Sequence, residues 1–296
     1  MFEFFKRLFP DKHEGGFKVD QSTLPLQSNP ALTKAKALSR AKYRVATCLS
    51  TGKARSHNED TLFTFNSFMD GIDSSAAFGI YLVADGMGGH QSGEVASSLA
   101  AQAASQYLVE KVFEKYLYDR EPFSEDELSR LTGEAVDAAQ ALIRNRVPGG
   151  GTTLTLVMAI GDHLFSAHVG DSRLYMIGTE GGLTLKTRDH SLVKRLIDLG
   201  EITEKEASVH PQRNVLYRAL GQMDPFDPDL DHFSIQTGER LLICSDGLWG
   251  VLEPEQLRGI LNKSADLDRT ACDLVHAAND SGGPDNISVV LLERLA

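Results

Sequence analysis

Acidic residues recur in this chain at the ends of apolar runs, and its capacity for chemistry is concentrated there. Arg55-Ser56-His57-Asn58-Glu59-Asp60 precedes one such run, and Asp85-Gly86-Met87-Gly88-Gly89 follows another. Gly170-Asp171-Ser172-Arg173 follows the run ending at Val169, Ser245-Asp246-Gly247 follows the run before it, and Gly283-Pro284-Asp285-Asn286 precedes the last. A strand end fixes the position of a side chain and leaves it accessible, which suits a ligand. Taken singly, each Asp-Gly reads as an ordinary turn. Asp85 and Asp246, however, both follow apolar strands of similar length, as expected if the two converge. Carboxylates gathered in one cleft repel each other unless neutralised. A divalent cation neutralises them, and oxygen ligands with few imidazoles favour Mg²⁺ or Mn²⁺ over zinc. Two such ions about 4 Å apart can activate a water and clamp phosphoryl oxygens.

The elements that must position these residues follow from periodicity. Strand composition appears at 45–49 and 62–65, and 80–84 is a buried apolar strand. Residues 93–116 have helical spacing rich in alanine and leucine, and Ser124 with Glu127 forms a capping-box pattern opening a helix to about 146. The chain breaks at Gly149-Gly150-Gly151, and 152–160 with 163–169 reads as a hairpin turned at Gly161-Asp162. Further strands are expected at 174–177, 241–245 and 287–292. Short helices are expected at 192–199 (ended by Gly200), 203–207 and 255–261. Strands come in hairpins and the two long helices lie together, so the expected class is α+β, with antiparallel sheets and helices packed outside them, not βαβ units.

In order along the chain stand R-x-x-N-E-D, D-G-M-G-G-H, G-T-T, G-D-S-R, R-D-H-S, S-D-G-L-W and D-N. This series resembles the type 2C, metal-dependent serine/threonine protein phosphatases (the PPM family) in their bacterial form, over residues 44–293. The resemblance implies a four-layer α-β-β-α sandwich of two antiparallel sheets flanked by helices, with metals at one end. It implies that Asp85 bridges two Mn²⁺ or Mg²⁺ ions. The carbonyl of Gly86, with Glu59 or Asp60, would hold one ion; Asp246 and Asp285 would hold the other. Asp171 with Asp246 would form a weaker third site. Arg55 would bind substrate phosphate, a role suited to a planar, permanently charged fork. Asn286 would support the ligands from behind them, Thr152 and Thr153 would support the sheet, and residues 188–221 would form a flap beside the cleft. Eukaryotic members carry D-G-H-G-G, whose histidine is the proposed proton donor to the leaving oxygen; here that position is Met87. The remaining candidates are a water made acidic by the ions and His90, and the reading favours the water, with His90 in a structural contact.

Other signals carry less. Neither Gly86-Met87-Gly88 nor Gly149-Gly150-Gly151 continues as a nucleotide-binding loop. Asp227, Asp229 and Asp231 have calcium-loop spacing but lack the turn glycine and closing glutamate, so a solvated loop is expected. His168, Asp171 and Ser172 do not read as a triad, because neighbours in a strand face opposite ways. Trp249 reads as a packing anchor. Cys48, Cys244 and Cys272 are odd in number, lack C-x-x-C spacing and read as reduced structural thiols of a cytoplasmic protein, not as zinc ligands.

The chain has 296 residues, 42% of them hydrophobic, enough for a substantial core. Its net charge of -11 argues against nucleic acid as a partner. No apolar run approaches the roughly 20 residues that cross a bilayer. Residues 1–40 read as a flexible extension preceding a phosphatase domain at 41–296. Phe2, Phe4, Phe5, Leu8 and Phe9 around Lys6 and Arg7 read as a fraying or docking terminus, with a membrane-surface or partner anchor as the alternative. The expected function is hydrolysis of phosphoserine and phosphothreonine by a monomeric enzyme. Its partners are phosphorylated proteins, including a Ser/Thr kinase or its targets. The alternatives are a phosphatase dedicated to one phosphorylated regulator, such as an anti-sigma antagonist, and a non-catalytic phosphoprotein-binding module, which should lack one of the carboxylates.

Overall fold

The computed structural model describes residues 43–70, 75–88, 91–118, 123–222 and 226–296. The extension at 1–40 and His90 lie outside them. Strand alternation decides how the layers form. In β3 (Ser75–Met87), Ile80, Leu82 and Ala84 face one apolar cluster, while Tyr81 and Val83 face another. In β10 (Arg240–Cys244), Leu242 and Cys244 face one side and Leu241 and Ile243 the other. Strands apolar on both faces need a partner on both, and the chain supplies them.

Among the described residues, one sheet runs β1 (Tyr43–Ser50), β11 (Ile287–Arg294), β10, β7 (Arg173–Ile177), β8 (Leu183–Leu185). The other runs β2 (Asp60–Asp70), β3, β5 (Leu154–Ile160), β6 (His163–Val169), β9 (Asp229–Ser234), with β4 (Gly151–Thr152) attached to β3. Neighbours in both are antiparallel. Tyr81, Val83, Val157, Leu241, Ile243, Val290 and Leu292 fill the space between the sheets. Outside the second sheet lie α1 (Gln91–Tyr118) and α2 (Glu125–Arg146). In α1, Ala96, Ala100, Ala104, Leu108 and Val112 are buried at four-residue intervals, and the small alanines let the helix lie close to the sheet. Over the first sheet lie α5 (Asp246–Trp249), α6 (Pro254–Leu261) and α7 (Leu267–Asp280), the last burying Leu267, Ala271, Leu274, Val275 and Ala278. The architecture is therefore the expected α-β-β-α sandwich. α3 (Leu192–Asp198) and α4 (Glu204–Ser208) lie in the expected flap.

Several local expectations are corrected. Ser124 does accept from the Glu127 amide, but the Glu127 carboxylate pairs with Lys115 instead of closing a capping box. The strand expected at 152–160 is broken, because Gly151–Thr152 pairs with the Asp85-proximal end of β3. Asp229 and Asp231 lie in the edge strand β9, not in a solvated loop. Helix α7 was not anticipated. Among the described residues, no helix is long and apolar enough to cross a membrane.

Candidate metal centre

Asp60 opens β2 directly opposite Asp85 in β3. Leu62 and Val83, two residues along on each strand, pack into the space between the sheets. Period-two alternation therefore turns both carboxylates into that space, at one end of the sandwich. The Asp85 main chain is held from both sides. Its amide donates to Thr153 Oγ1 (2.9 Å), and its carbonyl accepts from Thr152 Oγ1 and the Thr153 amide (2.8 Å each). The two threonines thus have the supporting role expected of them.

The other sheet brings the remaining acids. Ser245 follows β10 and Asp246 begins α5; Asp285 and Asn286 immediately precede β11. A Cβ on Gly86 would collide with the carbonyl oxygens of Gly93 and Glu59, and one on Gly247 with that of Asn286. Gly86 sits in a strand and Gly247 in a helix. Both Asp-Gly pairs therefore need glycine for close backbone approach, not for a turn. Asn286 holds three segments together: its Nδ2 donates to the carbonyls of Thr51 (2.9 Å) and His57 (3.0 Å), and its Oδ1 accepts from the Glu59 amide (2.8 Å).

Asp60 Oδ2 accepts from Ser245 Oγ (2.9 Å) and Ser288 Oγ (2.6 Å). Among the described residues, two buried side-chain polar atoms have no hydrogen-bond partner, and they are Asp60 Oδ1 and Asp246 Oδ1. Burial pushes Asp85 and Asp171 well above the usual carboxylate range; Asp60 and Asp246 add to the effect on Asp85, and Asp246 and Asp189 to that on Asp171. Burial, then the charges of Asp285 and Asp60, push Asp246 up to about 7. Burial pushes Asp60 up to about 6, against its serine hydrogen bonds. Such a cluster is costly as bare charges, and its donor set of oxygens fits Mg²⁺ or Mn²⁺.

The other expected residues fall around this core. Arg55 is half-exposed and donates to Asp285 Oδ2 (2.7 Å), at the cluster's edge. Glu59 lies beside Gly93 and His57, its Oε1 being 3.1 Å from His57 Nε2, so of the two acids left open it is Asp60 that enters the cluster floor. Asp171 is buried and its carbonyl accepts from Trp249 Nε1 (3.0 Å). The Arg173 guanidinium stacks on Trp249 at 3.6 Å and grips Asp189 with two hydrogen bonds of 3.0 and 2.7 Å. His168 Nδ1 is bonded to Thr155 Oγ1 (2.9 Å) and Ser172 Oγ to Thr153 Oγ1 (2.8 Å), so no triad forms. The flap is tied down at both ends. The His190 amide donates to the Gly170 carbonyl (2.7 Å), and Leu220 exchanges hydrogen bonds with Thr152. Between the flap and the α5–α6 segment lies a cavity of about 710 Å³, reaching Asp171 and Asp246 and lined also by Arg173, Arg213 and Trp249.

Sequence reasoning missed Ser245 and Ser288. Their signal was a polar residue inside an apolar strand, as in Ile287-Ser288-Val289, where burial demands a partner.

Comparison with known proteins agrees with this geometry. A family model described as protein phosphatase 2C matches residues 54–291. The serine/threonine phosphatase stp of Listeria monocytogenes is 35% identical over 243 residues, covering 82% of this chain and 92% of that protein. The crystal structure of the Mycobacterium tuberculosis serine/threonine phosphatase PstP/Ppp aligns with a TM-score of 0.71 at 34% identity, covering 86% of this chain and 99% of that one. The catalytic domain of PstP in complex with two manganese ions aligns with a TM-score of 0.70 at 32% identity, covering 86% and 99%. With its acids gathered between two sheets and the family's motifs in order around them, the chain belongs to the protein phosphatase 2C family, in its bacterial, metal-dependent form.

Proposed function

We propose that this chain is a protein serine/threonine phosphatase whose ions are held by Asp85, Asp246 and Asp285, with Asp60 or Glu59 and the Gly86 carbonyl completing the set. Asp171 with Asp246 forms a weaker third position. The observation that carries the assignment is the pair of buried carboxylate oxygens, Asp60 Oδ1 and Asp246 Oδ1, without hydrogen-bond partners beside Asp85. When bound, Mg²⁺ or Mn²⁺ supplies a nucleophilic water at neutral pH and charge to offset the phosphoryl oxygens.

The chain's own residues do the rest. Arg55 hydrogen-bonds Asp285 and is half-exposed, so it can turn a guanidinium fork toward an incoming phosphate while staying near its carboxylate. Asn286 fixes the backbone of residues 57–59, and Ser245 and Ser288 hold the Asp60 carboxylate in one orientation. The cavity beside Asp171 accommodates chain flanking the phosphorylated side chain. Its substrates are phosphorylated proteins, including products of a Ser/Thr kinase, and the three free thiols fit a reducing, cytoplasmic setting. A non-catalytic binding module is disfavoured because every expected carboxylate is present.

The test is phosphate release from a phosphothreonine peptide. It should require Mn²⁺ or Mg²⁺, stop on chelation and return when the cation is restored. Substantial turnover in metal-free buffer sinks the reading.

A further inference from the structure

Strand β6 joins two unlike ends of the molecule. Its last residue leads through Gly170 to Asp171 and the acidic cluster, while its first, His163, lies at the opposite end. There His163 meets Glu125, the first residue of α2, and His232 of β9; each offers a ligand atom within 4.8 Å of the others. His163 Nδ1 is 3.3 Å from His232 Nε2 and 3.5 Å from Glu125 Oε1, and His232 Nδ1 is 3.6 Å from Glu125 Oε2. With zinc–nitrogen bonds of about 2.0–2.1 Å, neighbouring ligand atoms of a tetrahedral site stand roughly 3.3–3.4 Å apart. His163 Nδ1 already stands near that spacing from His232 Nε2 and from a Glu125 oxygen, and the Glu125 carboxylate, within 4.8 Å, closes the set by turning toward the same His232 nitrogen.

The scaffold holds them there. Phe165 pairs with His232 across the β6–β9 ladder, and the two rings stack at 4.4 Å with 4° between their planes. That fixes the His232 ring. The side chains of His163 (50% exposed) and Glu125 (62% exposed) are free to turn their donor atoms inward. Two neutral imidazoles at this distance share at most one hydrogen, whereas a divalent cation takes a lone pair from each. Two imidazoles with one carboxylate select zinc and its neighbours over Mg²⁺ or Mn²⁺, the reverse of the carboxylate cluster's preference.

We propose that Glu125, His163 and His232 form a separate surface site for one zinc-type divalent cation, with its fourth position open to water. The ion ties the start of α2 to the edge strand β9. The same strand carries Asp229, which accepts from Arg218 Nη1 (2.8 Å) and faces His190 Nε2 (3.2 Å), so the clamp steadies the strand on which the flap is anchored.

The experiment uses the full chain in Mg²⁺ sufficient to fill the carboxylate cluster. Zn²⁺ uptake is measured by calorimetric titration, with Co²⁺ absorption as a coordination probe. The wild type should take up one Zn²⁺ more than His163→Ala or His232→Ala, and Glu125→Gln should weaken that ion by about 10-fold or more. Co²⁺ should give four-coordinate bands only in the wild type, and Zn²⁺ should raise its thermal midpoint but not that of the histidine variants. All three variants should keep Mg²⁺-supported turnover of an aryl phosphate, which shows that they fold. Equal Zn²⁺ stoichiometry and affinity in wild type and histidine variants overturns the proposal.

Discussion

Asp60, Asp85 and Asp246 lie near the ends of strands or at the start of a helix; Thr152 and Thr153 hold the Asp85 main chain, and Ser245 and Ser288 hold the Asp60 carboxylate. The flap at 188–221, across the same cavity, is built otherwise: two short helices, and Leu199, Val209, Val215 and Tyr217 exposed. Its own ion pairs, such as Arg188–Asp198 and Lys194–Asp198, lie near the surface, where such pairs contribute little. The floor accepts a loss of stability to hold charges in place, since buried like charges oppose folding. The rim is largely exposed between two buried, tied-down ends, so its middle can vary in contact without disturbing the floor.

The largest expected effect comes from breaking the floor. Asp85→Asn or Asp246→Asn should lower turnover by at least about 10²-fold, since each changes the charge that holds a catalytic ion. The same changes should raise the thermal midpoint of the chelated protein, because each removes one of the repelling charges. Kinetics and melting in chelator check both halves; a fall in both activity and metal-free stability would show that the acids stabilise the bare fold.

Next comes pH. Folding raises Asp60 to about 6 and Asp246 to about 7 by burial and neighbouring charge, against roughly 3.9 for aspartate in an unfolded chain. Between those values the folded state binds more protons than the unfolded one, so stability present at low pH is lost as pH rises through the folded values. Urea midpoints of the chelated protein should therefore fall from pH 5 to pH 8, and added Mn²⁺ should remove most of the fall. A chelated protein equally stable at both would mean the cluster's charges are already offset.

At the rim the effect should be smaller and selective. Arg213→Ala, or shortening the flap, should lower kcat/KM for phosphopeptides about 10-fold and leave a small aryl phosphate within about twofold. Equal losses on both would place the flap in the chemistry. Smallest of all should be two changes outside the described residues. Deleting residues 1–40 should leave metal-dependent activity intact, and loss of folding would move the domain boundary. His90→Ala should keep most activity on a phosphothreonine peptide; a selective loss there, sparing an aryl phosphate with a good leaving group, would make His90 the proton donor.

The sequence was most legible where one residue type served one demand. Each Asp-Gly alone read as a turn, and the acids stood out only by recurring at the ends of apolar runs; the unbroken apolar run at 80–84 marked a buried strand. That Asp60 and not Glu59 faces the inter-sheet space was not legible, because the direction of adjacent side chains is set by register with Asp85. Strand β9, Asp-Leu-Asp-His-Phe-Ser, was hidden because its acids are poor strand formers and only the edge position tolerates them. Helix α7 was legible and unread: Asp266 caps it by accepting from the Arg269 amide, and its apolar residues keep helical spacing. The serines supporting Asp60 showed only as polar residues beside apolar runs, and the partner of each hydroxyl, on another strand, was not legible.

The pairing of β11 bears on how the protein is made. This strand lies between β1 and β10, joining Tyr43 to Arg294 and Ser50 to Ile287. The segment leading into it supplies Asp285 and Asn286 to the acidic cluster, and its own Ser288 holds Asp60. A ribosome must therefore pass almost the whole domain before the first-made strand finds its neighbour. Until then β1 has an open edge and the acids from the two sheets have no common site. A chain interrupted before residue 285 lacks a central strand together with Asp285 and Asn286, so the first sheet and the acidic cluster are completed in one step.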